Sequence, residues 1–212
     1  MATSSAGLPT VPLDLPSAQV LADLAATTAD LQFVMECCKR LLTELARPDE
    51  ERDAVVPQAL WSAALVAYGR CFTTGKRFGL SEADVRSLPL QGEVMKFHKW
   101  VLAERARLTS HPADPFSAAA VGAALTRPEA GTRRVEGIAI LAASRVLVDD
   151  QGVRQLGGLA SELAKQTAER ATAQQDTVLA DAQQISVAKL SQLEPLQVGP
   201  PDGPDGPDGA ES

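Results

Sequence analysis

Aromatic residues are scarce in this 212-residue chain, making up 4% of it with a single tyrosine and two tryptophans. Strands lean on aromatic and β-branched side chains, so an interior of Ala, Leu and Val within a 45% hydrophobic share predicts helix over sheet. Cysteine is equally sparse: Cys37, Cys38 and Cys71 supply neither a disulfide framework nor a zinc spacing. Two histidines argue against a histidine-rich metal site. The chain also lacks a glycine-rich phosphate loop, an HExxH segment and a nucleophile elbow. No metal and no cofactor are therefore expected. Long apolar runs are missing as well. The uncharged stretch Ala54–Gly69 is 16 residues long, contains Pro57 and stops at Arg70, too short to cross a bilayer comfortably. No basic segment precedes an apolar run, which predicts no signal peptide. The expectation is a soluble, cytoplasmic protein with no membrane partner.

Charge is present but unevenly placed. The formal net charge is −7, from 20 basic and 27 acidic residues, which argues against polyanion binding over the whole surface. Between Arg70 and His111, however, eight basic residues face four acidic ones, a local +4. Four of the remaining acids, Asp202, Asp205, Asp208 and Glu211, lie in a terminal stretch that repeats Pro-Asp-Gly three times. With nothing apolar to bury, that stretch (195–212) is expected to be a disordered, solubilising tail. The Ser/Thr/Pro-rich start, 1–16, is expected to be a disordered arm.

Between them the pattern is helical. Leu21, Leu24, Thr28, Leu31, Met35, Cys38, Leu42 and Leu45 alternate spacings of three and four, an apolar stripe from a cap at Ser17 to the Arg47-Pro48 stop. A second helix is predicted from about Pro57 to Thr73, with Leu60, Ala63, Ala67 and Arg70 on its inner face. TTGKRFG follows as a loop. Ser81-Glu82-Ala83-Asp84 reads as a capping box opening a short helix that stops near Pro89. A third main helix, about Gln91 to Thr109, carries Val94, Phe97/His98, Val101, Arg105 and Leu108 along one stripe. Two apolar segments around a Pro/Gly turn suggest a β-hairpin within 117–148, although their alanines leave helix open. An Ala-rich helix is predicted over about 150–190. The fold class is thus mainly α: a helical core over 17–116, an inserted hairpin, and a long last helix (149–194) packing on that core.

Two polar residues break the stripe of the third helix. His98 and Arg105 are two turns apart on one face, where an inward guanidinium needs a partner or a wet cleft. His111 follows at the helix exit, since Pro112 biases it away from helical angles and the helix macrodipole favours a charged imidazole there. Arg105-Ala-Arg-Leu-Thr-Ser-His111 is an Arg, five residues, then a His. With LWSAALVAYGRCFTTGKR before it and HPADPF after it, this segment resembles the HEPN family of small helical domains, whose signature is Arg, four to six residues, His. The resemblance covers roughly residues 17–116.

The resemblance implies a metal-independent ribonuclease or RNA-binding effector of toxin or defence type. It would act as a homodimer with two motifs facing one cleft, and an antitoxin would be a natural partner. Arg105 would hold the scissile phosphate, because a guanidinium matches two phosphate oxygens and stays charged. His111 would serve as general acid–base at the ribose 2′-hydroxyl or the leaving oxygen. Arg107 and Lys99 would steer the RNA backbone, and Arg70 would brace the site. His98 is read as a substrate contact or as a satisfied core histidine, and Arg70 equally as a partner of the helix dipole.

A second reading stands beside the first. Ala106 follows Arg105 where nucleases of the family commonly carry Asn or Asp, and the overall charge is negative. Both suit a non-catalytic helical interaction or dimerisation protein with a degenerate motif. Pairing of Arg105 with Glu36 or Glu44 inside the bundle would mark a structural role. Cys37 and Cys38 diverge by about 100° on a helix and read as core filling, as Trp61 and Trp100 read as packing anchors.

Overall fold

In a computed structural model the described residues are 10–53, 55–73, 79–109, 117–126, 133–144 and 149–196. They are mainly helical with one small antiparallel sheet. In chain order come α1 (Pro16–Leu45), a 3-10 turn (Asp49–Glu51), α2 (Val55–Arg70), α3 (Glu82–Arg86) and α4 (Val94–Thr109). The strands β1 (Ser117–Leu125) and β2 (Val135–Ser144) follow, then α5 (Asp150–Gln183) and α6 (Val187–Leu190). The chain divides into two units: residues 22–172, and residues 1–21 together with 173–212.

The first unit holds the main core. Its α1 positions are Leu24, Thr27, Leu31, Val34, Cys37, Cys38 and Leu41. Leu24, Leu31 and Cys38 of the expected stripe are buried, and Met35, Leu42 and Leu45 pack half-buried against the core. On the adjoining stripe Thr27, Val34 and Leu41 sit deeper than Thr28, Met35 and Leu42. Both sets keep spacings of three and four around the same three residues, so periodicity alone cannot choose between them. The Thr27 hydroxyl donates to the Asp23 carbonyl at 2.8 Å, which lets a polar residue face the interior.

The Asp53 carboxylate begins α2 by accepting the Val55 and Val56 N–H groups at 2.7 and 3.3 Å. Its buried face is Trp61, Ala64, Leu65, Ala67 and Tyr68, with Leu60 and Ala63 half-buried. Arg70, expected on the inner face, is instead exposed. The reason is size: Trp61 and Tyr68 lie seven residues apart, and burying that aromatic surface sets the rotation of the helix. From α5, Val153, Leu156, Leu159, Ala160 and Leu163 complete the core.

Loops seat the short elements. Arg52 donates to the carbonyls of Leu45 and Arg47 at 2.8 and 3.0 Å and so closes the α1 terminus. Asp84 of α3 accepts the Ser81 backbone N–H at 2.6 Å and the Ser81 hydroxyl at 2.8 Å. It also receives the Arg170 guanidinium, while Gln166 donates to the Ser87 hydroxyl at 2.8 Å. Two side chains of α5 thereby hold α3. Of the predicted loop over 73–79, residues 74–78 lie outside the described residues, as does the hairpin turn at 127–132.

The predicted hairpin is present. β1 and β2 pair from Ser117↔Ser144 to Ala124↔Gly137, then step to Leu125↔Val135, leaving Glu136 as a one-residue bulge. The predicted last helix ends at Gln183 rather than running to Leu190. Ser186 interrupts it, its hydroxyl accepting the Lys189 N–H at 3.4 Å to open α6. In the second unit Ser17 donates to Asp181 at 2.5 Å, Gln174 to the Ser17 carbonyl at 2.9 Å, and Leu196 N–H to the Thr10 carbonyl at 2.7 Å. Residues 10–15 of the expected arm form neither helix nor strand; 1–9 and the tail from 197 lie outside the described residues.

Candidate functional site

The site follows from how α4 is started. Gly92 sits at φ +89°, a left-handed conformation suited to glycine, and turns the chain so that α4 begins at Val94. One face of α4 then turns inward through His98, Val101 and Glu104, each buried. His98 is 1% exposed, and its Nδ1 lies 2.8 Å from the Tyr68 hydroxyl of α2. The ring also meets Phe72, centroid to centroid at 4.6 Å. Burial lowers the imidazole pKa below its ordinary value; Lys99 pushes the same way and Glu82 only partly offsets them. His98 is thus a neutral member of an aromatic cluster, held away from solvent.

Arg105 lies two turns further on, half-buried against α2. A Cβ placed on Gly69 would fall 2.8 Å from the Arg105 Cδ and 3.0 Å from its Nε. Only a glycine at 69 leaves room for this side chain to cross the end of α2, since that approach is well inside van der Waals contact. Glu36 and Glu44, the acids named above as structural partners, are engaged by Arg40 at 2.7 Å and by Arg47 at 3.3 Å.

Among the described residues, the other cations of the basic segment carry carboxylate neighbours. Arg70 bonds Asp30 of α1 at 2.6 Å, Arg107 bonds Glu104 at 2.6 Å, and Lys99 stands 3.8 Å from Glu82. Arg70 and Arg107 remain 51% and 62% exposed in their side chains, so both reach solvent while paired. His111 lies outside the described residues, beyond the α4 end at Thr109. The structure therefore brings Arg105 to the last residues of α2, sends His98 to the core, and places Lys99 and Arg107 on the outer side of α4.

One feature escaped the sequence reading. A cleft of about 690 Å³ opens between the start of α4 and α5, walled by Leu90, Val94, Phe97, Trp100 and Leu159. Trp100, expected only as a packing anchor, stacks at 5.5 Å on Phe97 and stays 38% exposed there. Phe97 and Trp100 at a three-residue helical spacing, facing Gly158, were the available signal. Trp61, 6.2 Å from Trp100, is the buried anchor predicted.

The three thiols are core residues, each 1–3% exposed. Burial pushes the Cys38 thiol up to about 12 and raises Cys37 as well, so neither is an activated nucleophile. Among the described residues no group of three or more His, Cys, Asp or Glu could hold a metal ion, and no helix is long and apolar enough to cross a membrane. No family model, curated protein or solved structure matches the chain.

Proposed function

We propose that the chain is a HEPN-like RNA-acting effector, a metal-independent endoribonuclease of toxin or defence type with Arg105 and His111 as its reacting pair. The observation that carries this reading is the space kept at Gly69 for the Arg105 side chain. A guanidinium held across a helix end is positioned before any phosphate arrives, which is what orientation-based catalysis requires. In this reading Arg105 binds the scissile phosphate and His111 moves the proton at the 2′-hydroxyl or leaving oxygen.

Arg70, Lys99 and Arg107 serve as backbone contacts. Of their three ion pairs, Lys99–Glu82 is exposed on both sides, the kind worth about 0–1 kcal/mol that a phosphate displaces at little cost. Arg70 and Arg107 offer their exposed donors while still holding the mostly buried Asp30 and Glu104. The buried position of His98 supports a positioning part for it, through Tyr68 and α2, in place of substrate contact. Assembly as a cytoplasmic homodimer, with an antitoxin as partner, belongs to the same proposal.

The test is RNA cleavage in EDTA. Wild type cleaves, while Arg105→Ala and His111→Ala each lose at least about 100-fold, in line with the contribution of a positioned acid–base group, with unchanged circular dichroism. Gly69→Ala, which forces Arg105 aside, loses activity in the same direction. A wild type that leaves varied RNAs intact, and is harmless when overproduced, sinks the enzyme reading. The alternative is a non-catalytic interaction protein, favoured by Ala106 and by an uncovered hairpin.

A further inference from the structure

Apolar side chains on the hairpin lie in solvent. Val121, Ile138, Ile140 and Leu141 are 69–72% exposed, and Leu125 and Val135 are 51% and 63% exposed. A soluble surface tolerates such residues singly; six on one small sheet form a patch that calls for a partner. The register sorts them by face. Cross-strand partners share a face, so Val121↔Ile140, Ala123↔Ile138 and Leu125↔Val135 all point to one side. The opposite side carries Ala120↔Leu141, Gly122↔Ala139 and Ala124↔Gly137, where Leu141 is the only large residue. One face is thus bulky and branched, the other nearly flat.

We propose that the Val121–Ile138–Ile140 face is a docking surface for a second copy of this chain, hairpin against hairpin. Three observations select that occupant. The first is charge: Ser117–Leu125 has none, and on β2 only the bulged Glu136 is charged. The nearest described cations, the exposed Arg133 and Arg134, precede β2 at the turn end, so the paired strands themselves offer a nucleic acid or a charged peptide no complementary groups. The second is area. Five branched side chains on this face, at roughly 100 Å² each, together with Ala123 offer ~500 Å² per copy, below the ~800 Å² of a standard interface and in the range of a weak, reversible dimer.

The third is shape. On the bulky face β2 carries Ile140, Ile138 and Val135, and β1 carries Val121 and Leu125 with a single low point at Ala123, directly opposite Ile138. A twofold axis lying between two copies and parallel to the strands sets each Ile138 over the partner's Ala123. An isologous contact needs this self-complementarity, one patch fitting itself. The contact involves neither Arg105 nor His111, and a dimer built on the motif cleft would outlast substitutions in the hairpin, so their effect on pairing tells the two interfaces apart.

Sedimentation of the full chain tests the proposal. Wild type runs at twice the 22.3 kDa chain mass, and Ile138→Asp/Ile140→Asp runs at the single-chain mass with the same helical circular dichroism. The milder Ile140→Thr, which keeps a β-branched residue in the strand, weakens dimerisation at least tenfold. A wild type that stays single up to ~100 μM overturns the proposal. So does an aspartate variant that still pairs. Flotation of wild type, but not of the aspartate variant, with phosphatidylcholine–phosphatidylglycerol vesicles would assign the face to lipid and overturn it equally.

Discussion

At the scale of single residues, the most consequential contact is the one between Tyr68 and His98. Both groups are buried, so removing one leaves the other without its bond in a low-dielectric interior. Tyr68→Phe is expected to lower unfolding free energy by about 1–3 kcal/mol, measured by urea denaturation at pH 8. The same pair sets a pH dependence. The folded-state pKa of His98 is depressed, so below the free-histidine value of about 6.5 the unfolded chain binds the proton first. Stability is level above that pH and falls as pH drops through it toward the lower folded value, with a limiting slope of ~1.4 kcal/mol per unit. His98→Gln flattens this limb in urea melts between pH 8 and 5. That His98 interrupts an apolar stripe was legible in the sequence. Its partner was not, because nothing in the spacing of α2 says which side Tyr68 turns to until Trp61 is buried.

Elements show a different limit of legibility. Helices, their order and the hairpin follow from apolar spacing, Pro/Gly punctuation and the capping pattern at Ser81. The rotation of α1 and α2 does not, since neighbouring stripes on each are both apolar and packing chooses between them. Long-range polar tethers are hidden in the same way. Asp84 was legible as a capping residue, yet Arg170, 86 positions away, also binds it. Burial raises the Asp84 carboxyl, but the Ser81 N–H, Arg170 and the Ser81 hydroxyl outweigh it and hold the pKa below the ordinary value. Asp84→Ala is expected to destabilise by about 2–3 kcal/mol, with Arg170→Ala adding less than its single effect in the double variant. The sign with pH is the same as for His98, in a lower pH window. This contribution is present above the unfolded carboxylate value and is lost as pH falls through the lower folded one, so acid melts of wild type and Asp84→Asn should diverge above pH 4 and converge below it.

For the molecule as a whole, composition foretold the class of fold and the inertness of the cysteines. With all three thiols in the core, a native sample should resist a thiol reagent, and labelling should follow global unfolding in urea. Modification of Cys37 or Cys71 well before the helices melt would show a local opening instead. Composition could not foretell where the apolar surplus goes. An alanine-rich chain with few aromatics still leaves its branched residues on β1 and β2 uncovered, because a two-stranded sheet has two faces and two open edges. Open edges invite unlimited growth, strand upon strand, and the bulge at Glu136 works against it. A carboxylate and a break in register at the turn end of β2 spoil that edge as a template, as gatekeeper charges do beside aggregation-prone segments. Association through the hairpin is thereby steered toward a closed pair and away from a fibre.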